Sequence, residues 1–191
     1  MNLHRSIKQT YSSQDNAMKK TNAGCIGIVG LGLIGGSLGL DLQKKGWEIH
    51  GLVNRDLTLE RAKERELAQV ISKDPKILSD CELIIIALPI DKLIIPSKAL
   101  IQSLPSKAVV TDVASVKEPV LKVWQEIHPY FVASHPMAGN ASSGVEAGCL
   151  GLFKNRPWVC TPNERTDLKS LDRIMQLAQD LEAQFIKTEP G

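Results

Sequence analysis

The chain has 191 residues, of which 43% are hydrophobic and 23% are charged, and its formal net charge is +2 at pH 7. These values are typical of a soluble globular protein, and no apolar run approaches the roughly 18 residues that span a bilayer. Because charges of both signs are interspersed and aromatic residues are few, the composition argues against nucleic acid and a membrane as partners.

The first residues differ in composition from the rest of the chain. Residues 1–23 are polar and weakly basic, without the apolar stretch of a secretory signal, and they predict a disordered leader before one folded domain over 24–191. Met18 is an alternative start, and Asp15 argues against a plastid transit peptide. The chain has four cysteines, Cys25, Cys81, Cys149 and Cys160. Without a C-x-x-C pair they predict neither a metal site nor a disulfide framework, and they favour a cytoplasmic location.

Strand and helix patterns alternate from residue 25 onward. The predicted strands are 25–29, 48–53, 82–88, 108–113, 130–134, 158–160 and 184–188, the last one closing the sheet. The predicted helices are 33–45, 57–68, 91–103, 116–127 and a last helix that begins at 168 behind Thr166 as its N-cap. The strands are continuously apolar, which predicts a doubly wound α/β fold, with a parallel sheet covered by helices on both faces.

A glycine motif, GLGLIG, connects the first strand to the first helix and fits the pattern G-x-G-x-x-G. Gly30 permits a tight turn, Gly32 leaves room for a pyrophosphate, and Gly35 lets the helix pack closely with its N-terminal amides toward the phosphate charge. The predicted cofactor contacts in this turn are Gly30, Leu31, Gly32, Leu33, Ile34 and Gly35. The pattern therefore predicts a Rossmann-type dinucleotide site.

The tip of the second strand indicates which dinucleotide binds. An NAD enzyme presents Asp or Glu there to the ribose hydroxyls, but 19 residues after Gly35 this chain has Asn54, followed by Arg55. An amide and a guanidinium suit a 2′-phosphate, so the sequence favours NADP over NAD. Asp56 is the contrary observation, because its carboxylate would accept the ribose hydroxyls if the strand ended two residues later.

The ends of two later strands complete the predicted cofactor set. Ligands bind at the carboxyl ends of the strands in open α/β sheets. Further contacts are therefore expected from Leu88, Pro89 and Asp112.

One of the four histidines stands where chemistry is expected. His4 lies in the leader, His50 lies inside the second strand, and His128 follows a helix as a cap. His135 comes directly after a strand and before Pro136 and a glycine-rich loop, where it is either a general base or a structural loop residue.

Three segments together resemble prephenate and arogenate dehydrogenases, the enzymes of tyrosine biosynthesis. These segments are GLGLIGGSLGLDL (30–42), TDVASVK (111–117) and SHPMAG (134–139). The resemblance implies that His135 binds the ring hydroxyl of the substrate and removes its proton, that Ser115 orients this histidine and the nicotinamide, and that Lys117 gives electrostatic support. The pair Asn54–Arg55 is similar to the NADP-using arogenate dehydrogenases of cyanobacteria and plants.

The resemblance also implies a reaction and a missing part. Family members oxidise and decarboxylate a cyclohexadiene ring, and after the cofactor domain they carry a helical domain that forms a homodimer and supplies an arginine for the substrate. The 191 residues do not contain that domain, so we expect an isolated cofactor domain, a truncated gene or a fragment, and Asn140 departs from the Ser or Thr of the family. Arogenate and prephenate both remain candidate substrates. The alternatives are a non-catalytic NADP-binding module and a β-hydroxyacid-type dehydrogenase domain.

Overall fold

A computed structural model of the protein describes residues 24–139, 141 and 143–188; the predicted leader and Asn140 lie outside them. The strands of the larger sheet are β1 (Cys25–Val29), β2 (Glu48–Leu52), β3 (Val70–Ser72), β4 (Leu83–Ile86), β5 (Val109–Asp112) and β6 (Phe131–Val132). All six are parallel, in the order β3-β2-β1-β4-β5-β6. This order confirms the Rossmann-type doubly wound fold, with its topological switch point beside β1.

Six helices accompany the strands in the described part of the chain. They are α1 (Leu33–Lys44), α2 (Asp56–Glu64), α3 (Ile90–Ile94), α4 (Lys98–Ser103), α5 (Glu118–Ile127) and α6 (Leu168–Asp180). None of these helices is long and apolar enough to cross a membrane.

The central strands are buried on both faces, as their apolar sequences predict. Ile26 and Ile28 of β1 belong to one hydrophobic cluster, together with Trp158 and the inner face of α6. Val29 of β1 points to the opposite cluster, in which Trp124 of α5 is fully buried. The side chains of successive strand residues thus fill two separate cores, one under each helical layer.

The end of the chain does not close the larger sheet, and this part of the prediction was wrong. A second sheet is formed by β7 (Ser134–Pro136), β8 (Pro157–Cys160) and β9 (Gln184–Lys187), in that order. Strand β7 is antiparallel to β8, and β9 is parallel to β8. Because α6 connects β8 to β9, β9 returns beside the strand that precedes its own helix, as a β-α-β unit does.

Local signals explain the other differences from the predicted elements. The predicted helix 91–103 is two helices, because Pro96 lacks an amide hydrogen and forces Ile95 out of the helical region. The N-cap of α6 is Asp167, which accepts from the Ser170 amide, whereas Thr166 accepts from the amide of Asn163. Strand β3 and the 3₁₀ helix Pro75–Leu78 were not predicted.

Candidate functional site

The glycine turn after β1 has the geometry that its motif predicts. Gly30 has φ +93°, in the left-handed region, and a Cβ there would stand 2.5 Å from the carbonyl oxygen of Ala87. A Cβ on Gly35 would collide with the carbonyl oxygen of Gly30. Both glycines are therefore required by the fold itself.

Gly32 differs from these two glycines because, apart from its own neighbours in the chain, no described protein atom lies within 4 Å of the place where its Cβ would be. Its φ of −80° is open to any residue, so neither space nor conformation inside the protein requires glycine here. Gly32 is the N-cap of α1 and offers no side chain to the first amides of the helix, and the first turn contains no acidic residue. The turn thus leaves open space in front of a positive helix end, as binding of a phosphate group requires.

A cleft of about 650 Å³ opens at the carboxyl ends of β1, β2 and β4. Of the predicted cofactor contacts, Gly30, Leu31, Asn54 and Leu88 line the cleft. Leu33, Ile34 and Gly35 form the start of α1, and Pro89 is the N-cap of α3. The structure therefore brings most of the predicted cofactor residues to one edge of the sheet.

The charged side chains that line the cleft near the end of β2 are basic. Asn54 lines the cleft together with Lys73, which follows β3, whereas Arg55 is exposed next to Asn54 and is not among the lining residues. Asp56 is the first residue of α2, and its Oδ1 pairs with Lys73 Nζ at 2.6 Å. Among the described residues that line the cleft, two are lysines, Lys73 and Lys92, and none is acidic.

His135 lies on β7 and is held by a backbone carbonyl. Its Nδ1 is 3.0 Å from the carbonyl oxygen of Val113, the residue after β5. Because a carbonyl only accepts, Nδ1 carries the hydrogen in this contact, and the neutral ring has its lone pair on Nε2. The half-buried ring thus has a basic nitrogen at the carboxyl edge of the sheet.

A buried ion pair fixes the backbone around His135. Asp112 is fully buried and pairs with Lys117, which also donates to the carbonyl oxygen of Ser134 at 2.6 Å. The other carboxylate oxygen of Asp112 accepts from the Ser134 amide at 3.2 Å. Burial raises the pKa of the Asp112 carboxyl, and the adjacent Lys117 opposes this shift. The pair ties the end of β5 to the start of β7.

These contacts bear on three predicted roles. The Asp112 carboxylate, predicted to contact the cofactor, is directed into the protein and positions β7. Lys117, from which electrostatic support was expected, forms an ion pair with Asp112. Ser115 is exposed, and within the described part of the chain its hydroxyl makes no hydrogen bond to His135, whose ring is held by Val113.

Sequence reasoning missed two contributions to the site. Lys73 follows a three-residue strand and belongs to no motif, so no sequence signal placed it near the tip of β2. The carbonyl of Val113 is a backbone group, and no residue type could indicate it.

A family model described as "Prephenate dehydrogenase, nucleotide-binding domain" matches residues 38–187. The prephenate dehydrogenase of Bacillus subtilis is 31% identical over 185 residues, which are 92% of this chain and 48% of that protein. The chain spans about half the length of the curated relatives that it matches.

Two solved structures are similar over most of the chain. Synechocystis arogenate dehydrogenase superposes with a TM-score of 0.78 at 36% identity, covering 87% of this chain and 60% of that one. The prephenate dehydrogenase of A. aeolicus, in complex with hydroxyphenyl propionate and NAD⁺, superposes with a TM-score of 0.81 at 25% identity, covering 90% and 62%.

Proposed function

Because the chain belongs to the prephenate dehydrogenase family, we propose that it is the cofactor-binding part of an NADP-dependent dehydrogenase that acts on arogenate or prephenate in tyrosine biosynthesis. One observation carries the proposal: His135, with Nδ1 held by Val113, stands at the same edge of the sheet as the glycine turn. A proton acceptor and a dinucleotide site at one edge are what the oxidation of an alcohol requires.

The residues present fit a nicotinamide dinucleotide. The open space at Gly32 and the uncapped first turn of α1 are suited to the pyrophosphate, and Leu31 and Leu88 provide apolar contacts in the cleft. When bound, the nicotinamide accepts the hydride that the substrate carbon gives up. The chain itself binds and orients the dinucleotide.

The charges at the tip of β2 support NADP rather than NAD. Asn54 and Lys73 line the cleft, and Arg55 is adjacent, so a 2′-phosphate would meet an amide and two cations. The ion pair of Asp56 with Lys73 engages one oxygen of an exposed carboxylate and also offsets part of the lysine charge. The main support for NADP is therefore that Asn54 and Arg55 stand where an NAD enzyme has a carboxylate.

The proposed role of His135 is to take the proton of the ring hydroxyl on Nε2. The Nδ1–H bond to Val113 keeps the ring in the tautomer with a free Nε2, and the carbonyl dipole stabilises the imidazolium that forms. Hydride loss from the carbinol carbon accompanies this proton transfer, and the departure of carbon dioxide leaves an aromatic ring. We assign Asp112 and Lys117 to positioning of the strand that bears His135.

An assay of the four combinations of arogenate or prephenate with NADP or NAD tests the proposal. The enzyme to be assayed is the chain extended by the corresponding remainder of the Synechocystis relative. We expect reduced nicotinamide to form with NADP and with one of the two substrates in preference to the other. Absence of turnover with all four combinations, from a folded protein that binds NADP, would contradict the proposal.

A non-catalytic dinucleotide-binding module is the second candidate, because the cleft and the glycine turn suit a dinucleotide whether or not a reaction follows. Binding of NADP by the extended protein without formation of reduced nicotinamide would support this alternative.

A further inference from the structure

Cys25 and Cys81, which lie 56 residues apart in sequence, meet at the edge of the larger sheet opposite to the cleft. Cys25 is the first residue of β1, and Cys81 precedes β4, the neighbouring strand. Their Sγ atoms are 2.7 Å apart, so the two thiols are in direct contact. The pairing of Ile26 with Leu83 leaves Cys81 one residue out of register with Cys25, which gives a Cα separation of about 6 Å, inside the range of about 4.4 to 6.8 Å that a disulfide spans.

The two thiols differ in accessibility. Cys25 is half-buried, whereas Cys81 is 3% exposed and packs in the core beneath α5. A hydrogen bond from the Cys81 thiol lowers the pKa of Cys25 despite its burial, and the nearby His50 acts in the same direction. The same hydrogen bond raises the pKa of Cys81. This geometry makes Cys25 the attacking thiolate and Cys81 the thiol behind it.

His50 lies beside Cys25, and both of its ring nitrogens are in contact with oxygen acceptors, an arrangement that favours the charged ring. Its Nδ1 donates to the carbonyl oxygen of Ile77 at 2.6 Å, and its Nε2 is 3.1 Å from Glu48 Oε1. Burial lowers the pKa of His50, but these two contacts outweigh burial and raise it overall. One ring nitrogen lies within 4.8 Å of both sulfurs. Since both ring nitrogens are engaged, a metal ion would have to replace one of these contacts.

We propose that Cys25 and Cys81 form a reactive dithiol, a modification site at which a low-molecular-weight disulfide such as oxidised glutathione converts the two thiols into one intramolecular disulfide. The Cys25 thiolate attacks a sulfur of the oxidant, forms a mixed disulfide and releases one thiolate. Cys81 then attacks Cys25 Sγ, the mixed disulfide breaks, and the proton of Cys81 passes to the second departing thiolate. Two protein thiols lose two electrons in total, and the oxidant becomes two thiols.

The order of the two steps follows from the contact itself. Once Cys25 is in the mixed disulfide it carries no negative charge, so the interaction that raises the pKa of Cys81 is lost. Cys81 therefore becomes a better nucleophile only after Cys25 has reacted.

The test is titration of the full chain with mixtures of oxidised and reduced glutathione. We expect two of the four thiols to disappear, a peptide map with Cys25 joined to Cys81, and a rise in Tm of roughly 5 to 15 °C on oxidation. The variants separate the two roles: C81S should stop at one glutathione adduct on Cys25, and C25S should leave Cys81 unmodified. A protein with Cys149→Ser and Cys160→Ser is the matched control and should oxidise as the wild type does.

His50→Gln should slow the reaction of Cys25 roughly 3- to 10-fold, because the thiolate loses a neighbouring cation.

Persistence of all four thiols, or preferential oxidation of Cys149 or Cys160, would overturn the proposal. Zinc titration against a chromophoric chelator gives the remaining outcome: tight binding of one zinc ion that C25S abolishes would identify the cluster as a metal site instead.

Discussion

We propose that single side chains at the tip of β2 determine which dinucleotide the cleft suits. Lys73 follows β3, lines the cleft together with Asn54 and forms an ion pair with Asp56. It belongs to no sequence motif. A ribose hydroxyl needs an acceptor, whereas a 2′-phosphate needs donors and positive charge. The described side chains in this part of the cleft provide the second combination.

Replacement of the two cations should weaken NADP binding selectively. We expect Arg55→Ala and Lys73→Ala each to raise the Kd for NADP by about 5- to 100-fold and to change the Kd for NAD little, because only NADP carries the 2′-phosphate. Fluorescence or calorimetric titration measures both constants. Lys63→Ala removes the same charge from an exposed position on α2 and is the control. Equal affinities of the wild type for both dinucleotides would remove the basis for NADP.

Removal of the proposed proton acceptor should affect turnover and spare cofactor binding. In the extended enzyme, His135→Ala should lower kcat by roughly 10² to 10⁴ with the Kd for NADP nearly unchanged, as for a general base. Ser115→Ala should cost less, since Val113 holds the ring. Steady-state kinetics with cofactor titration gives both quantities. If the His135 variant kept most of its activity, the base would have to be another group.

At the scale of elements, the sequence predicted what local patterns encode. The segment from β1 to β2 was predicted because its glycines fix a turn of known spacing between an apolar strand and a helix. The three residues of β3 are too few to show a period, and the pairing of β9 with β8 depends on contacts between distant segments. The same holds for the site: His135 could be predicted from its motif, but the Val113 carbonyl could not.

The glycine turn allows binding and folding to be separated by matched substitutions. Gly32→Ala should leave the Tm within a few degrees of the wild type and weaken dinucleotide binding, because the new methyl group meets no protein atom and occupies the open space before α1. Gly35→Ala should destabilise the domain strongly, because its Cβ collides with the Gly30 carbonyl. Thermal unfolding and NADP titration distinguish the two effects. Unaltered NADP affinity in the Gly32 variant would contradict the assigned phosphate position.

The C-terminal cap of α5 makes folding stability dependent on pH. His128 is buried, its Nδ1 accepts from the Tyr130 amide, and its Nε2 donates to the Pro105 carbonyl, so the folded state requires the neutral ring. Burial lowers the pKa of His128 in the folded protein, and the unfolded chain therefore takes up the proton first as the pH falls. The stability that this residue contributes is present above the ordinary histidine pKa and is lost below it.

We therefore expect the free energy of unfolding to decrease from about pH 7 to about pH 5 more in the wild type than in His128→Gln, whose side chain does not titrate. Loss of the two side-chain hydrogen bonds in His128→Ala should cost about 1 to 3 kcal/mol at neutral pH. Urea unfolding at several pH values gives both results. Parallel stability curves for the wild type and the Gln variant would show that His128 does not contribute to the pH dependence.

For the molecule as a whole, the described residues offer more contacts to the cofactor than to the substrate of the proposed reaction. The cofactor side has a cleft and a helix end, whereas Val116 and Met137, next to Ser115 and near His135 in the chain, are exposed apolar side chains. The structural relatives extend well beyond the part that this chain matches. A substrate at this edge would be in contact with protein on one side only.

The polypeptide of these 191 residues should accordingly fold and bind NADP, but turn over arogenate or prephenate far more slowly than the extended enzyme. The doubly wound sheet buries two cores among the described residues, so we expect the polypeptide to fold without further segments. We also expect light scattering to report a monomer. Near-normal turnover by the monomer would show that His135, Ser115 and the cofactor are sufficient.

The proposed general base belongs to the smaller sheet, whereas the glycine turn and the tip of β2 belong to the larger one. Ala133, between β6 and β7, and the pair of Asp112 with Lys117 are the joint between the two sheets. Substitutions around Asn54 and Lys73 can therefore alter the choice of dinucleotide without moving the histidine. In such an architecture, substitutions at the tip of β2 can exchange one coenzyme for another during evolution while the residues that hold the proposed base stay unchanged.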